Sequence, residues 1–188
     1  GQTIPFEEFY KKMDEGADTV TSQVNVSEYV EYFSQFLEEG KDILHVSLST
    51  GISGTYNSAM NAALIARERY PERKIYIVDS LGASSGYGLL MDKLADLRDS
   101  GMSIEEVRDW AEENKLHLCH QFTVDDLHFL KRGGRISATT AVVGTMLKIK
   151  PVLHVDDGGK LVNIGKARGR KASLKALVDR MEETAIDP

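Results

Sequence analysis

Residues 43–70 read ILHVSLSTGISGTYNSAMNAALIARERY, and two elements of different periodicity meet within them. Residues 43–49 are a short apolar run, as expected of a buried β-strand. From 55 to 70 the apolar and small side chains recur three, four, seven and eight positions apart, which predicts an amphipathic helix that ends before Pro71. A strand, a glycine-containing loop and a helix in this order form the first part of a β–α–β unit.

The same alternation continues downstream and predicts the fold class. Another apolar run, at 74–79, is followed by an amphipathic helix at 86–98 and by a third helix, at 103–114, that opens with a capping box. Strands that alternate with helices predict an α/β fold with a parallel sheet and covering helices. Two more helices are predicted upstream, at residues 6–13 and 27–38.

The pattern changes in the last part of the chain, where a second unit is predicted. Residues 156–159, Asp-Asp-Gly-Gly, are a strong hairpin turn signal between apolar runs at 151–155 and 161–164. A further strand is predicted at 118–124, and helices are predicted at 125–131, 137–147 and 172–183. We therefore expect an α/β domain over residues 1–117 and part of a smaller α+β domain over residues 118–188.

The composition excludes several classes of protein. Of the 188 residues, 41% are hydrophobic and 28% are charged, which are ordinary values for a globular chain and not those of a collagen-like, coiled-coil or disordered one. The formal net charge is -6, and an acidic chain lacks the clustered positive field that nucleic-acid binding requires. We therefore expect no nucleic-acid partner.

The single cysteine, Cys119, bears on redox environment and location. One thiol excludes an intramolecular disulfide and a four-cysteine zinc site, and it suits the reducing cytoplasm. Because Cys119 lies in the strand predicted at 118–124, we expect it to be buried. No apolar run reaches the roughly 20 residues that span a bilayer, and no signal-peptide pattern opens the chain. We expect a cytoplasmic protein without integral membrane association and, because the histidines lack metal-ligand spacing, without a metal.

The loop between the first predicted strand and its helix is a candidate ligand site. The carboxyl end of a parallel strand is where open α/β sheets bind ligands, and the start of the next helix offers unpaired N–H groups and partial positive charge. Ser53 and Thr55 add hydroxyl groups, and Gly54 permits close approach. The lysine of a phosphate-binding P-loop is missing, which favours a smaller anion than a nucleotide. The alternative is a capped loop that binds nothing.

Two basic segments and a polar tripeptide are further candidates. Residues 131–137, KRGGRIS, and 166–171, KARGRK, lack the interleaved aromatic side chains of nucleic-acid sites. Each is either a solvated glycine-rich loop or a site for a phosphorylated group or a partner, since arginine forks suit phosphate. Residues 21–23, Thr-Ser-Gln, are a turn or a helix cap unless the fold brings them to a ligand.

Residues 82–86, Gly-Ala-Ser-Ser-Gly, support a rival hypothesis. They match G-x-S-x-G between a predicted strand and a helix, which is the context of a hydrolase nucleophile. Ser84 would then be the nucleophile of a serine hydrolase or esterase, with an acid and a downstream histidine as its partners. The alternative is that small residues open this helix for close packing.

Five segments together resemble the successive motifs of the DegV family. They are LHVSLSTGISGTYNSA from residue 44, IYIVDSLGASSGYG from 75, LHFLKRGGRIS from 127, LKIKPVLHVDDGGKL from 147 and KARGRK from 166. Residues 21–23 also resemble the family's TSQP motif, although Val24 replaces its proline. The resemblance implies a protein with no chemistry of its own that binds a long-chain fatty acid, such as palmitate or stearate, between two α/β domains. It implies no other cofactor, and a partner in the ATP-dependent fatty acid kinase subunit that phosphorylates the acyl carboxylate.

The resemblance also implies roles for individual residues. The family's carboxylate-binding threonine and serine correspond to Thr21 and Ser53, and Arg135 corresponds to a site arginine. Arg168 and Arg170 lie in the segment that resembles the kinase-docking region. We expect the ligand site to be completed by Ser22, Gly54 and Thr55.

Two family segments have no counterpart in the sequence. They are an N-terminal strand ahead of Gly1 and a C-terminal segment, beyond Pro188, that carries a histidine near the head group. We expect the polypeptide to be longer at both ends and the acyl cleft to be walled partly by those segments. The apolar stripe of the last predicted helix would then lack part of its partner surface; it consists of Leu174, Leu177, Val178 and Met181.

Overall fold

The computed structural model describes residues 3–125, 127–137 and 148–186. The helices in these residues are α1 (Phe6–Asp14), α2 (Val26–Glu38), α3 (Thr55–Arg69), α4 (Ser84–Asp99), α5 (Ile104–Asn114), α6 (His128–Arg132) and α7 (Arg170–Thr184). The strands are β1 (Ile43–Ser47), β2 (Ile75–Asp79), β3 (Gln121–Phe122), β4 (Ile149–Val155) and β5 (Leu161–Arg168). The helix predicted at 137–147 lies, except for its first residue, outside the described residues.

β1 and β2 form a parallel sheet that is covered on both faces. The strands pair from Ile43 opposite Ile75 to Ser47 opposite Asp79. Because successive strand side chains point to opposite faces, the sheet contributes to two separate cores. The core beneath α2 and α3 contains Tyr29, Val30, Phe33, Leu37, Ala59, Ala62, Ala63, Ala66 and Ile75. The core beneath α4 and α5 contains Val46, Val78, Leu90, Leu94, Val107 and Ala111.

β3, β4 and β5 form an antiparallel sheet in that order. The predicted turn joins β4 to β5, and Asp156 Oδ1 stabilises it by accepting N–H bonds from Gly158 and Lys160. α7 packs on this sheet, but Ser173 is its only buried residue among those described. Three residues of its predicted apolar stripe are exposed: Leu174, Val178 and Met181.

The architecture confirms the predicted fold class, an α/β part with a parallel sheet and covering helices followed by a smaller α+β part. The described strands of the parallel sheet precede residue 117, and those of the antiparallel sheet follow it. The division into domains 1–117 and 118–188 stays a prediction.

Three local predictions are wrong. Of the strand predicted at 118–124, only the two residues of β3 are a strand. A 3-10 turn at Lys115–His117 precedes it, and pairing with β4 begins at Gln121. Cys119 lies before that pairing and is exposed rather than buried. The basic segment at 166–171 is not a loop either, because β5 remains paired with β4 as far as Arg168 and α7 begins two residues later.

Candidate functional site

The loop between β1 and α3 presents hydroxyl groups at a helix start. The Oγ atom of Ser53 and the Oγ1 atom of Thr55 are 2.8 Å apart, and the Thr55 amide donates to Ser53 Oγ at 3.2 Å. Gly54 is the N-cap of α3 and has no side chain to cover the helix end. The hydroxyl groups therefore lie at the positive end of the helix dipole, which favours a bound anion.

The segment before α2 is held against this helix start. Gln23 Nε2 donates to Ser58 Oγ at 3.3 Å. A Cβ atom on Gly54 would lie 2.1 Å from Gln23 Oε1, so the contact requires glycine at position 54. As a result, Thr21 and Ser22 line the same cavity as the β1–α3 loop.

Two arginines connect the segment before α2 with α6 and the loop that follows it. Arg135 Nη2 donates to Thr21 Oγ1 at 3.2 Å. Arg132 Nη1 forms an ion pair with Asp18 Oδ1 at 2.8 Å, and its Nη2 donates to Thr19 Oγ1 at 3.2 Å. A guanidinium group beside a threonine hydroxyl is a donor set that suits a carboxylate.

These groups line one cavity of about 1100 Å³. Its lining contains every ligand-binding residue expected from the sequence: Thr21, Ser22, Ser53, Gly54, Thr55 and Arg135. Its apolar lining contains Phe9, Tyr10, Met13, Leu48, Ile52, Phe129 and Leu130. Small-molecule sites typically enclose about 300–1000 Å³, so this cavity has room for a ligand with a small polar head and a long apolar body.

Sequence reasoning misses the wall that α1 contributes. Phe6, Phe9, Tyr10 and Met13 recur at the spacing of one helix face, and this stripe was the available signal. A stripe predicts that a helix has an apolar side, but it does not say whether that side meets a core or a cavity. Arg132 and Phe129 are missed for a similar reason, since only the fold brings α6 to the cavity.

A histidine lies across the start of α4. A Cβ atom on Gly82 would lie 2.5 Å from the His120 ring, and a Cβ atom on Gly86 would lie 2.1 Å from it. The absence of side chains at both positions therefore lets the ring pack against the start of α4. Burial, followed by the proximity of His154, lowers the pKa of His120. The junction therefore favours the neutral imidazole over the charged one.

The hydrolase hypothesis lacks a general base among the described residues. Ser84 is exposed and has a φ of 53° at the start of α4, as a nucleophile on a strained strand-to-helix turn would. Within residues 3–125, 127–137 and 148–186, no hydrogen bond joins Ser84 to a histidine or an acidic side chain. A serine nucleophile needs a general base within hydrogen-bond reach. The small residues at 82–86 instead accompany close packing against His120.

Arg168 and Arg170 are exposed and do not line the cavity. Arg168 ends β5 and Arg170 begins α7. Arg170 Nη1 lies 3.9 Å from Asp125 Oδ1, which also accepts the Lys150 ammonium at 3.0 Å. Lys150, and after it Arg170, hold the pKa of Asp125 below its usual range. Both arginines therefore lie at the surface and outside the cavity lining.

Comparison with known proteins identifies the family. The model of the family described as "Uncharacterised protein, DegV family" matches residues 1–188. The chain belongs to the DegV family. A DegV domain-containing protein of Clostridium perfringens is 48% identical over 180 residues, which cover 96% of this chain and 62% of that protein. The chain thus spans less than two thirds of the length of this relative.

Solved structures share the architecture over most of this chain. A stearic acid-binding protein from Eubacterium ventriosum matches with a TM-score of 0.86 and 29% identity, covering 100% of this chain and 66% of that one. The Streptococcus pneumoniae fatty acid kinase B3 protein loaded with linoleic acid matches with a TM-score of 0.86 and 30% identity, covering 96% and 63%. The resemblance of the sequence motifs to the DegV family is therefore confirmed.

The described part of this DegV chain contains neither a helix suited to cross a membrane nor a cluster of metal-binding side chains. None of its described helices is both long and apolar enough to cross a bilayer. In the same residues, no three His, Cys, Asp or Glu side chains come together as ligands of a metal ion would.

Proposed function

We propose that this DegV chain binds a long-chain fatty acid, such as palmitate or stearate, in the cavity between α1, the β1–α3 loop and the loop after α6. The composition of that cavity is the main support for the proposal. Its lining combines an arginine and several hydroxyl groups with aromatic and aliphatic side chains. The stearic acid and linoleic acid of the two related structures support the same class of ligand.

The carboxylate is recognised by groups from three segments. Thr21 and Ser53 supply hydroxyl donors, Arg135 supplies the positive charge, and the start of α3 supplies backbone N–H groups. Each hydrogen bond to a charged group contributes about 1.5–3 kcal/mol. The neighbouring residues Ser22, Gly54 and Thr55 shape the pocket around these groups.

The acyl chain provides most of the binding energy. Each buried methylene contributes about 0.8 kcal/mol, so about 14 of them contribute about 11 kcal/mol before the entropy of immobilising the chain is subtracted. The apolar wall formed by α1, α6 and the β1–α3 loop receives this chain. The head-group hydrogen bonds add to this affinity and also set the orientation and register of the chain.

The protein acts as a lipid-binding subunit and not as an enzyme, and it needs no cofactor besides the fatty acid. In this proposal it works in the cytoplasm and presents the bound carboxylate to an ATP-dependent fatty acid kinase subunit. The exposed Arg168 and Arg170 dock that subunit without contacting the lipid. Support for this part comes from the matched motif at 166–171 and from the pneumococcal relative, which is itself named as a fatty acid kinase B protein.

Lipid analysis of the purified protein tests the proposal. After expression in bacteria, organic extraction followed by mass spectrometry should recover a long-chain fatty acid in near-stoichiometric amount. A delipidated sample should then rebind stearate. Recovery of no acyl chain, together with no rebinding of stearate, would refute the proposed function.

A further inference from the structure

α1 covers the cavity without being packed into the protein. No residue of α1 is buried, although Phe9, Tyr10 and Met13 all line the cavity. Phe6, one turn earlier on the same stripe, is 75% exposed. A helix with an apolar stripe ordinarily buries that stripe against a core. Here the stripe faces a cavity, so little buried area opposes movement of the helix.

The segment after α1 is fastened by one ion pair at the rim of the same cavity. Arg132 contacts both Asp18 and Thr19, and its guanidinium carbon lies 5.0 Å above the centre of the Phe129 ring. The side chain of Asp18 is 85% exposed and that of Arg132 is 32% exposed. Exposed ion pairs are weak and are screened by salt. The Arg132–Asp18 ion pair therefore breaks easily.

We infer that α1 and the segment through Asp18 form a lid over the cavity, and that the Arg132–Asp18 pair is the latch that sets how fast an acyl ligand enters and leaves. This inference rests on the proposed function. An acyl chain that lies against Phe9, Tyr10 and Met13 is released when these side chains move away. Because lid opening sets the rate of ligand exchange in such sites, a weaker latch speeds both entry and exit.

The latch differs from a ligand contact in its kinetic signature. Loss of a contact raises the dissociation rate alone, so the dissociation constant rises by the same factor. Loss of a latch raises the open fraction of both the empty and the loaded protein, so both rates rise and the dissociation constant changes less than either. Screening by salt should act in the same way on the intact pair.

Stopped-flow exchange of 12-(9-anthroyloxy)stearate tests the inference with the full 188-residue chain. Asp18→Asn should raise the dissociation and association rate constants each by about threefold or more and should weaken their dependence on NaCl. The charge exchange Asp18→Arg with Arg132→Asp should restore the slow rates. Glu8→Gln, which breaks an ion pair with Lys12 within α1, is the matched control and should leave both rates unchanged.

The outcomes separate the two proposals. If the unmodified chain does not bind the probe, the proposed function fails and the lid fails with it. If the chain binds the probe but Asp18→Asn exchanges it at the original rates, the lid alone is refuted. A rise in the dissociation rate without a rise in the association rate would make Asp18 a ligand contact and would also refute the latch.

Discussion

Ser49 Oγ donates a buried hydrogen bond of 2.8 Å to the carbonyl oxygen of Gly159, 110 positions away in the chain. The same Oγ accepts the amide N–H of Gly51 at 3.0 Å, so one fully buried hydroxyl fixes both the β1–α3 loop and the β4–β5 turn. The approach is close enough that a Cβ atom on Gly51 would lie 2.3 Å from the Gly159 oxygen. This contact aligns the parallel sheet with the antiparallel sheet beside the cavity.

We expect Gly159→Ala to destabilise the protein more than an ordinary glycine substitution. Position 159 has a φ of 71°, and the new Cβ atom would lie 1.9 Å from Ser49 Oγ. Backbone strain and loss of the buried bond together should cost at least about 3 kcal/mol. Gly101→Ala is the control, because its φ of 97° is also strained but nothing lies within 4 Å. The strain alone should cost it about 1–2 kcal/mol in urea unfolding, and equal losses in both variants would contradict the packing argument.

The glycines of α4 offer a test of the His120 contact. Gly86→Ala should destabilise by about 1–2 kcal/mol, because its Cβ atom would lie 2.1 Å from His120 Nδ1. Gly88→Ala, half a turn further along the same helix in open space, should stabilise by about 0.5–1 kcal/mol through helix propensity. In a His120→Ala background the Gly86→Ala effect should turn from loss to gain. If the two glycine substitutions behave alike in the parent protein, the His120 ring does not pack as described.

We expect two histidines to make the free energy of unfolding depend on pH near neutrality. Burial lowers the pKa of His45, whose Nε2 is buried with no hydrogen-bond partner among the described residues. Burial together with His154 lowers the pKa of His120. Below about pH 6.5 the unfolded chain therefore binds more protons than the folded one. The free energy of unfolding should be constant from pH 8 to 7 and should fall as the pH drops further.

Urea titrations between pH 8 and 5.5 measure this dependence. The range stays above the ordinary carboxylate pKa values near 4, so the exposed ion pairs contribute little. His45→Phe keeps a ring beside Tyr29, 5.1 Å from the native imidazole centre, and should flatten the curve. An unchanged slope in that variant would show that His45 is not a source of the pH dependence.

Most of the fold was predictable from the sequence because its elements have strong local signals. The two parallel strands are short apolar runs, and the start of α5 carries a capping box in which Ser103 accepts the amide N–H of Glu106. The hairpin turn was equally clear, because the sequence Asp-Asp-Gly-Gly at 156–159 favours a tight turn. In that turn Asp156 Oδ1 accepts the amide N–H groups of Gly158 and Lys160. β3 was misjudged because an apolar run does not reveal where its pairing partner begins, and the exposed Cys119 follows from that error.

The candidate site was predictable only in part. Motif resemblance indicated Thr21, Ser53 and Arg135, and the fold places all three around one cavity. The Arg132–Asp18 pair joins residues 114 positions apart, and nothing in the local sequence of either residue indicates the other. Long-range side-chain pairs depend on how elements dock, and periodicity contains no information about docking.

Removal of the head-group hydroxyls should weaken fatty-acid binding. Thr21→Ala and Ser53→Ala should each reduce affinity for stearate by about 1.5–3 kcal/mol, or about 10-fold to 150-fold. Ser27→Ala, an exposed serine near the start of α2 and outside the cavity, is the control and should bind normally. Calorimetric titration of delipidated protein gives the three values. Unchanged affinity in both cavity variants would remove Thr21 and Ser53 from the site.

Loss of the two exposed arginines should affect the partner and spare the lipid. Arg168→Ala combined with Arg170→Ala removes positive charge outside the cavity, so stearate affinity should stay within about twofold. Charges at the rim of an interface mainly govern association rate and its salt dependence, so acyl-phosphate formation by a cognate kinase subunit with ATP should slow by about tenfold at low salt. The control variant Arg69→Ala with Arg98→Ala loses the same charge from α3 and α4 and should support acyl-phosphate formation at the normal rate. If acyl-phosphate formation slows equally with both double variants, overall charge explains the effect. A normal rate with Arg168→Ala and Arg170→Ala would place the docking surface elsewhere.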